Sequence, residues 1–109
     1  MIPPRRSKYG AKPIVVDGVR YASHKEARRF GELQLLQRAG KISELRRQPR
    51  FPIEVNGKLV CTYVGDAVYR ENGDLVVEDV KGGEATKTPV YKLKRALMLA
   101  VHNITIREV

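Results

Sequence analysis

The sequence is poor in the residues that would build a disulfide scaffold, a histidine-centred site or a membrane span. It has one cysteine, Cys61, so neither an intrachain disulfide nor a cysteine-based metal site can form. The two histidines, His24 and His102, have no partner at the spacing of a metal site. No apolar run approaches the roughly 20 residues of a membrane span, and residues 1–5 lack the apolar core of a secretory signal. We therefore expect a cytoplasmic protein that is not attached to a membrane.

Acidic residues are also few relative to basic ones, 12 against 21, which gives a formal net charge of +9 at pH 7. In so small a domain this excess implies a polyanionic partner, and nucleic acid is the first candidate. The length of 109 residues suits one domain with a single core. Residues 1–11 are predicted to be a flexible basic arm, which either tracks DNA or is only a solvated terminus, and residues 12–109 the domain.

The most informative stretch surrounds Asn72-Gly73, which lies between two β-prone runs. Asn-Gly in this setting predicts a two-residue type I′ hairpin. The register that follows places Asp66 directly opposite Asp79, and Lys81 on the same face because side chains two apart share a face. Opposed carboxylates about 5 Å apart destabilise a sheet unless they share a cation or a proton. The stretch therefore predicts a binding site for a divalent metal.

A small hairpin and a helix are predicted before this stretch. Residues 12–22 contain an Asp-Gly turn, and Ser23 with Glu26 forms a capping-box pattern at the start of a helix over residues 24–39. Glu26 lies near the middle of the apolar stripe of this helix. It either completes the cap or points toward the carboxylate pair as a third acidic group. The stripe comprises Ala27, Phe30, Leu33 and Leu36.

Three antiparallel strands are predicted in the middle of the chain. Residues 41–50 read as a basic connection into an edge strand at 51–55, and a second Asn-Gly turn joins that strand to a long strand over residues 58–69. The strand that follows Gly73 completes the meander. Core positions are predicted on the face opposite Asp66, at Cys61, Tyr63 and Tyr69.

A crossover helix and a last strand complete the predicted fold. After a flexible loop, Thr88 caps a helix that Pro89 opens, and Lys94 falls inside its apolar stripe. Residues 104–109 should then add parallel to the Asp79 strand. The predicted buried stripe of this helix is Val90, Leu93, Leu97 and Val101.

Asp66 together with Asp79-Val-Lys81 has the form D…(D/E)-x-K and resembles the motif of the PD-(D/E)XK nuclease superfamily. Gly65 stands where the family name has proline. The predicted order of helix, three antiparallel strands, helix and strand is that of the αβββαβ core of the restriction-endonuclease-like fold, an α/β (α+β) fold with a mixed sheet between helices. Residues 21–28 are similar to a phrase found in phage-encoded endonuclease-like proteins.

The resemblance implies a Mg²⁺ or Mn²⁺ site. Asp66 and Asp79 would bind the ion through carboxylate oxygens, as hard cations prefer, and the carbonyl of Val80 would complete the set. Glu26 would hold a second ion or an outer-sphere water, and Lys81 would position the attacking water. The plain alternative for Asp79 and Lys81 is an ordinary cross-strand salt bridge.

Further basic residues are candidates for phosphate contacts. Lys94 would lie near the scissile phosphate by the same resemblance, or else extends its ammonium group to solvent. Glu78 points to the face opposite Asp79 and is not expected to be a ligand. The predicted nucleic-acid contacts, each of which has a solvated charge as its alternative, are Arg28, Arg29, Arg46, Arg47, Arg50 and Lys87.

These expectations combine into a small metal-dependent DNA endonuclease that resembles phage-encoded nucleases related to Holliday-junction resolvases. Cleavage is expected to be structure-selective, and paired incisions in branched DNA imply a homodimer. Two alternatives stay open: a catalytically silent nucleic-acid-binding domain of the same fold, and a nuclease subunit of a larger recombination or packaging complex.

Overall fold

A computed structural model describes residues 12–109, so the predicted basic arm at 1–11 lies outside the described residues. This part of the chain forms two α-helices, one short 3-10 helix at Glu84–Thr86 and a series of short strands. In chain order these are β1 Ile14–Val16, β2 Val19–Tyr21, α1 His24–Arg38, β3 Ser43–Arg47, β4 Arg50–Val55, β5 Lys58–Val64, β6 Ala67–Glu71, β7 Asp74–Asp79, α2 Pro89–His102 and β8 Arg107–Glu108.

The strands form one mixed sheet of four, in the order β3-β6-β7-β8, and two separate pairs, β1-β2 and β4-β5. The protein is therefore an α+β fold with an N-terminal β-hairpin. Strand β8 runs parallel to β7, as predicted for a strand that returns through a crossover helix. No helix within residues 12–109 is long and apolar enough to cross a membrane.

The central hairpin has the predicted turn and register. Both Asn72 and Gly73 have positive φ, at 52° and 84°, as a type I′ turn requires. Tyr69 pairs with Val76, and Glu71 pairs with Asp74. The prediction of β6 and β7 from the Asn-Gly signal is confirmed.

The start of α1 is confirmed, with one correction at its cap. The Glu26 amide donates to Ser23 Oγ at 3.2 Å, as expected of an N-cap serine. The Glu26 carboxylate, however, accepts a hydrogen bond from the Ala22 amide at 3.2 Å rather than from Ser23. The carboxylate therefore binds the amide of the residue before the N-cap.

Two predictions about the middle strands are wrong. The stretch 41–50 is not a simple connection, because Ser43–Arg47 forms β3 and pairs with β6. The single strand predicted over 58–69 is broken between β5 and β6 at Gly65 and Asp66. Hydrogen bonds from the Gln48 amide to the Asp66 carbonyl and from the Gly65 amide to the Pro49 carbonyl keep the two chain segments paired through this break.

The core lies on both faces of the four-stranded sheet. Alternation along β7 sends Val77 to the α2 side, where it packs with Met98, and Val76 to the α1 side, where it packs with Leu33. The α2-side cluster also contains Ile53, Tyr63, Val68 and Ile106, and the α1-side cluster Ile42, Ala67 and Tyr69. The prediction that Tyr63 and Tyr69 share a face is therefore wrong, because the strand break between them changes the alternation.

The buried face of α2 also differs from the predicted one. Val90 and Leu93 are 63% and 61% exposed, whereas Met98 is fully buried. Met98 shares its helix side with Tyr91 and Lys94, at spacings of seven and four residues. The helix thus turns a tyrosine and a lysine toward the sheet and leaves most of its purely aliphatic stripe outside.

Candidate functional site

The break between β5 and β6 places Asp66 beside the end of β7. The Asp66 amide donates to the Glu78 carbonyl at 3.0 Å, and Asp66 Oδ2 accepts from the Val80 amide at 2.7 Å. The Asp79 carboxyl lies close enough to contribute to raising the pKa of Asp66. The two aspartates of the predicted pair are thus neighbours, with Asp79 at the end of β7 and Asp66 in the bend before β6.

Gly65 makes this approach possible. A Cβ atom at this position would lie 3.2 Å from Val77 Cγ1 and 3.3 Å from the Glu78 carbonyl oxygen. The lack of a side chain therefore lets the segment before Asp66 lie directly against β7.

Two neighbouring carboxylates repel each other when neither a cation nor a proton lies between them. Burial, together with the contact to Asp79, raises the pKa of Asp66 from 3.8 to about 8. Burial and the charge of Asp79 also raise the pKa of Glu26, against the lowering effect of its hydrogen bond from Ala22. Such a cluster favours either a bound proton or a bound cation.

Asp79 is 7% exposed and uses both of its oxygens. The Tyr63 hydroxyl donates to Oδ2 at 2.5 Å, and the Lys81 ammonium lies 3.4 Å from Oδ1. The Lys81 nitrogen also lies 3.8 Å from the centre of the Tyr91 ring. Lys81 is therefore held between a carboxylate and an aromatic face, both of which stabilise its charge.

An open cleft of about 310 Å³ leads to this group from the α2 side. Asp79, Lys81 and Lys94 all line it, and the Lys94 ammonium donates to the Thr62 carbonyl at 3.0 Å. One carboxylate and two ammonium groups thus face a space that is large enough for a phosphate group. Lys94 joins the site although it falls in what was predicted to be an apolar stripe.

Glu26 lies on the other side of the sheet end. It lines a cavity between α1 and the sheet together with Asp66 and Val80. Within residues 12–109, no three His, Cys, Asp or Glu side chains are grouped closely enough to hold a metal ion. An ion at this site would be bound by the two aspartates and by oxygens other than side-chain carboxylates, a donor set that fits Mg²⁺, which keeps several waters.

The structure gives several of the predicted phosphate contacts partners within the protein. Arg29 makes two hydrogen bonds to the buried Glu78 carboxylate, Nε to Oε1 at 2.9 Å and Nη2 to Oε2 at 2.6 Å. Lys87 lies 3.0 Å from Glu84 and 3.4 Å from Glu108.

Glu78 faces away from Asp79, as predicted.

The other predicted phosphate contacts differ in exposure. Arg47 stacks 4.8 Å above the Tyr21 ring and donates to the Arg20 carbonyl. The exposed members of the predicted set are Arg28, Arg46 and Arg50. These three are the ones most accessible to a polyanion.

Sequence reasoning missed two tyrosines that touch the site. Tyr63 was correctly assigned to the core, but its hydrogen bond to Asp79 was missed because the break at Gly65 was not foreseen. Tyr91 reaches Lys81 because Glu108 of β8 accepts its hydroxyl at 2.7 Å, and Arg95 donates to the same Glu108 oxygen at 2.8 Å. A tyrosine spaced three residues from Lys94 on the same helix was the available signal.

In metal-free protein, Asp66→Asn should raise the free energy of unfolding at pH 8 by about 1–2 kcal/mol. Between 3.8 and about 8 the folded state holds a proton on Asp66 that the unfolded state has released. Wild-type stability therefore falls as pH rises through this window. Asparagine does not titrate, and its oxygen still accepts from Val80.

Urea denaturation in EDTA at about pH 4, 6 and 8 measures this difference. The advantage of the variant should grow with pH and disappear near pH 4. An advantage that is the same at all three values would contradict the proposed repulsion between the aspartates.

The chain belongs to a protein family described as a protein of unknown function (DUF1064), whose profile matches residues 6–107. Among curated proteins and solved structures, none matches this chain.

Proposed function

We propose that this protein is a divalent-metal-dependent DNA endonuclease of the PD-(D/E)XK superfamily. The observation that carries the proposal is the grouping of three side chains at the end of β7: Asp66 accepts from the Val80 amide at 2.7 Å, next to Asp79, and the Lys81 ammonium lies 3.4 Å from Asp79. Two neighbouring buried acids are unfavourable for a structural role, whereas a hard cation and a phosphodiester give them a function.

The order of the elements supports the restriction-endonuclease-like fold. Helix α1 precedes three neighbouring antiparallel strands, β3, β6 and β7, and α2 then crosses over to the parallel strand β8. This is an αβββαβ order, in which β4 and β5 form a separate pair between β3 and β6 along the chain. It differs from the predicted assignment in the first strand, which is Ser43–Arg47 rather than 51–55, and in the second, which is Ala67–Glu71 rather than 58–69.

The residues divide the chemistry among them. Asp66, Asp79 and the Val80 carbonyl would hold Mg²⁺ or Mn²⁺, which polarises the scissile phosphate and acidifies a bound water. Lys81 faces the same cleft and would orient the attacking water and offset charge in the transition state. Lys94 would bind a phosphate oxygen. Glu26, on the far side of Asp66, would hold an outer-sphere water or a second ion.

DNA is the substrate that suits the charge. A net charge of +9 and the exposed guanidinium groups of Arg28, Arg46 and Arg50 favour binding to phosphates. A domain of this size leaves little surface for a base-reading module, which favours branched DNA such as Holliday junctions over a defined sequence. Paired incisions would then need a homodimer, and such an enzyme would act in the cytoplasm of a bacterial host.

The proposal is tested by incubating the protein with a four-way junction, a flap and a linear duplex, each with Mg²⁺ and with EDTA. We expect cleavage of the branched substrates in Mg²⁺ and intact DNA in EDTA. Binding that is independent of metal, with no cleavage of any substrate, would instead favour a silent DNA-binding domain of the same fold.

A further inference from the structure

Tyr63 is a buried residue whose hydroxyl contacts the Asp79 carboxylate. Its side chain is 2% exposed and packs in the α2-side core cluster with Ile53 and Met98, so the ring has little freedom to move. Its hydroxyl donates to Asp79 Oδ2 at 2.5 Å. The position of this oxygen is therefore set by the core of the protein.

The other Asp79 oxygen faces Lys81, whose ammonium lies 3.4 Å from Oδ1. A carboxylate beside an ammonium group can rotate so that both oxygens compete for it. The hydrogen bond from Tyr63 opposes this rotation, because turning the carboxylate would leave the buried hydroxyl without an acceptor. Tyr63 thereby keeps one Asp79 oxygen away from the ammonium group.

The same strand also positions Lys94, since the carbonyl of Thr62 accepts its ammonium at 3.0 Å. Adjacent residues of β5 thus support two members of the candidate site, although β5 belongs to a different sheet from β7. The β4-β5 pair therefore both covers the core and contacts two residues of the candidate site, Asp79 and Lys94.

We infer that Tyr63 is a positioning residue for metal binding, which sets the orientation of Asp79 as a ligand. This inference rests on the proposed function. Hydrogen-bond partners of metal ligands typically change metal affinity by about 10–100-fold when they are removed. Tyr63→Phe deletes one hydroxyl and keeps the ring that fills the core.

The chain offers a matched control in Tyr69. Tyr69 is as buried as Tyr63, and its hydroxyl donates to Glu78, the other buried carboxylate of β7, on the opposite face of the sheet. Tyr69→Phe therefore makes the same chemical change at a buried site away from the cleft, where the hydroxyl also accepts from Arg107 at 3.1 Å. Loss of stability should be similar in the two variants, and loss of metal affinity should not.

The experiment titrates Mn²⁺ alone into wild type, Tyr63→Phe and Tyr69→Phe by calorimetry, with thermal denaturation beside it. We expect about 10–100-fold weaker Mn²⁺ binding for Tyr63→Phe and less than about 3-fold change for Tyr69→Phe. DNA cleavage by Tyr63→Phe should recover toward the wild-type rate as Mn²⁺ is raised. A purely structural role would not give that recovery.

Two failures are distinguishable. If wild type binds Mn²⁺ and Tyr63→Phe binds it no more weakly than Tyr69→Phe does, the inferred role of Tyr63 is wrong and the endonuclease proposal stands. If wild type itself binds no Mn²⁺, the proposed metal-dependent function is wrong, and the inference fails with it.

Discussion

Asp79→Asn should reduce metal-dependent DNA cleavage by about 10³-fold or more while the protein stays folded. Asparagine has the same shape as aspartate and can still accept the hydrogen bond from Tyr63, so the local packing is kept. What is lost is a charged oxygen ligand and the partner of the Lys81 ammonium. Single-turnover cleavage of the preferred substrate at saturating Mg²⁺ measures the effect.

The control for this prediction is Asp74→Asn. Asp74 begins the same strand but is exposed beside the turn, so its replacement makes the same change in net charge without touching the cleft. Cleavage by Asp74→Asn should stay within about 3-fold of wild type. If Asp79→Asn cleaves as well as Asp74→Asn, the carboxylate pair is not the metal site.

Arg29→Ala should lower the free energy of unfolding by about 3 kcal/mol. Glu78 is 1% exposed, and the two hydrogen bonds from Arg29 supply most of its compensation, with the Tyr69 hydroxyl as a further donor. Removal of the guanidinium group leaves a carboxylate buried without its cation. Urea denaturation at neutral pH measures the loss.

Arg28 provides the comparison on the same helix. Arg28 is exposed, so Arg28→Ala should leave stability within about 0.5 kcal/mol of wild type. DNA binding should respond in the opposite way, with weaker binding and a shallower salt dependence for Arg28→Ala. Binding that weakens equally in both variants while both stay fully stable would show that Arg29 contacts DNA instead.

The features that follow from local chemistry were predictable from the sequence. The conformation of Asn72-Gly73 permits one tight turn, and that turn fixes the partners along β6 and β7 as far as Ala67 and Glu78. The serine cap of α1 and the proline at the start of α2 are equally local. The turn brings Asp66 and Asp79 to the same end of the hairpin, and the hydrogen bonds at Gly65 and Asp66 then set where Asp66 lies.

The features that depend on distant packing were not predictable in the same way. On α2, the aliphatic stripe through Val90 and Leu93 and the stripe through Tyr91 and Met98 have the same helical period. The second is buried because Tyr91 and Lys94 find polar partners in Glu108 and the Thr62 carbonyl, which lie on other elements. Hydropathy alone favours the wrong stripe.

The break at Gly65 has the same origin. A β-prone run from 58 to 69 reads as one strand, but the Pro49 carbonyl and the Glu78 carbonyl hold the segment at Gly65 and Asp66 in a bend between two sheets. Nothing in the local sequence except the glycine marks this position. The core assignment of Tyr63 is confirmed, but its contact with Asp79 was missed for this reason.

The close packing at Gly65 also limits which substitutions the site can tolerate. A methyl group there would displace Val77, the Glu78 backbone or the Gly65 segment itself by a few tenths of an ångström. In this chain, Gly65→Ala would therefore keep both aspartates and still shift the segment that carries Asp66 relative to β7. The spacing of the two acids thus depends on backbone packing at Gly65, a residue that has no side chain to take part in the chemistry.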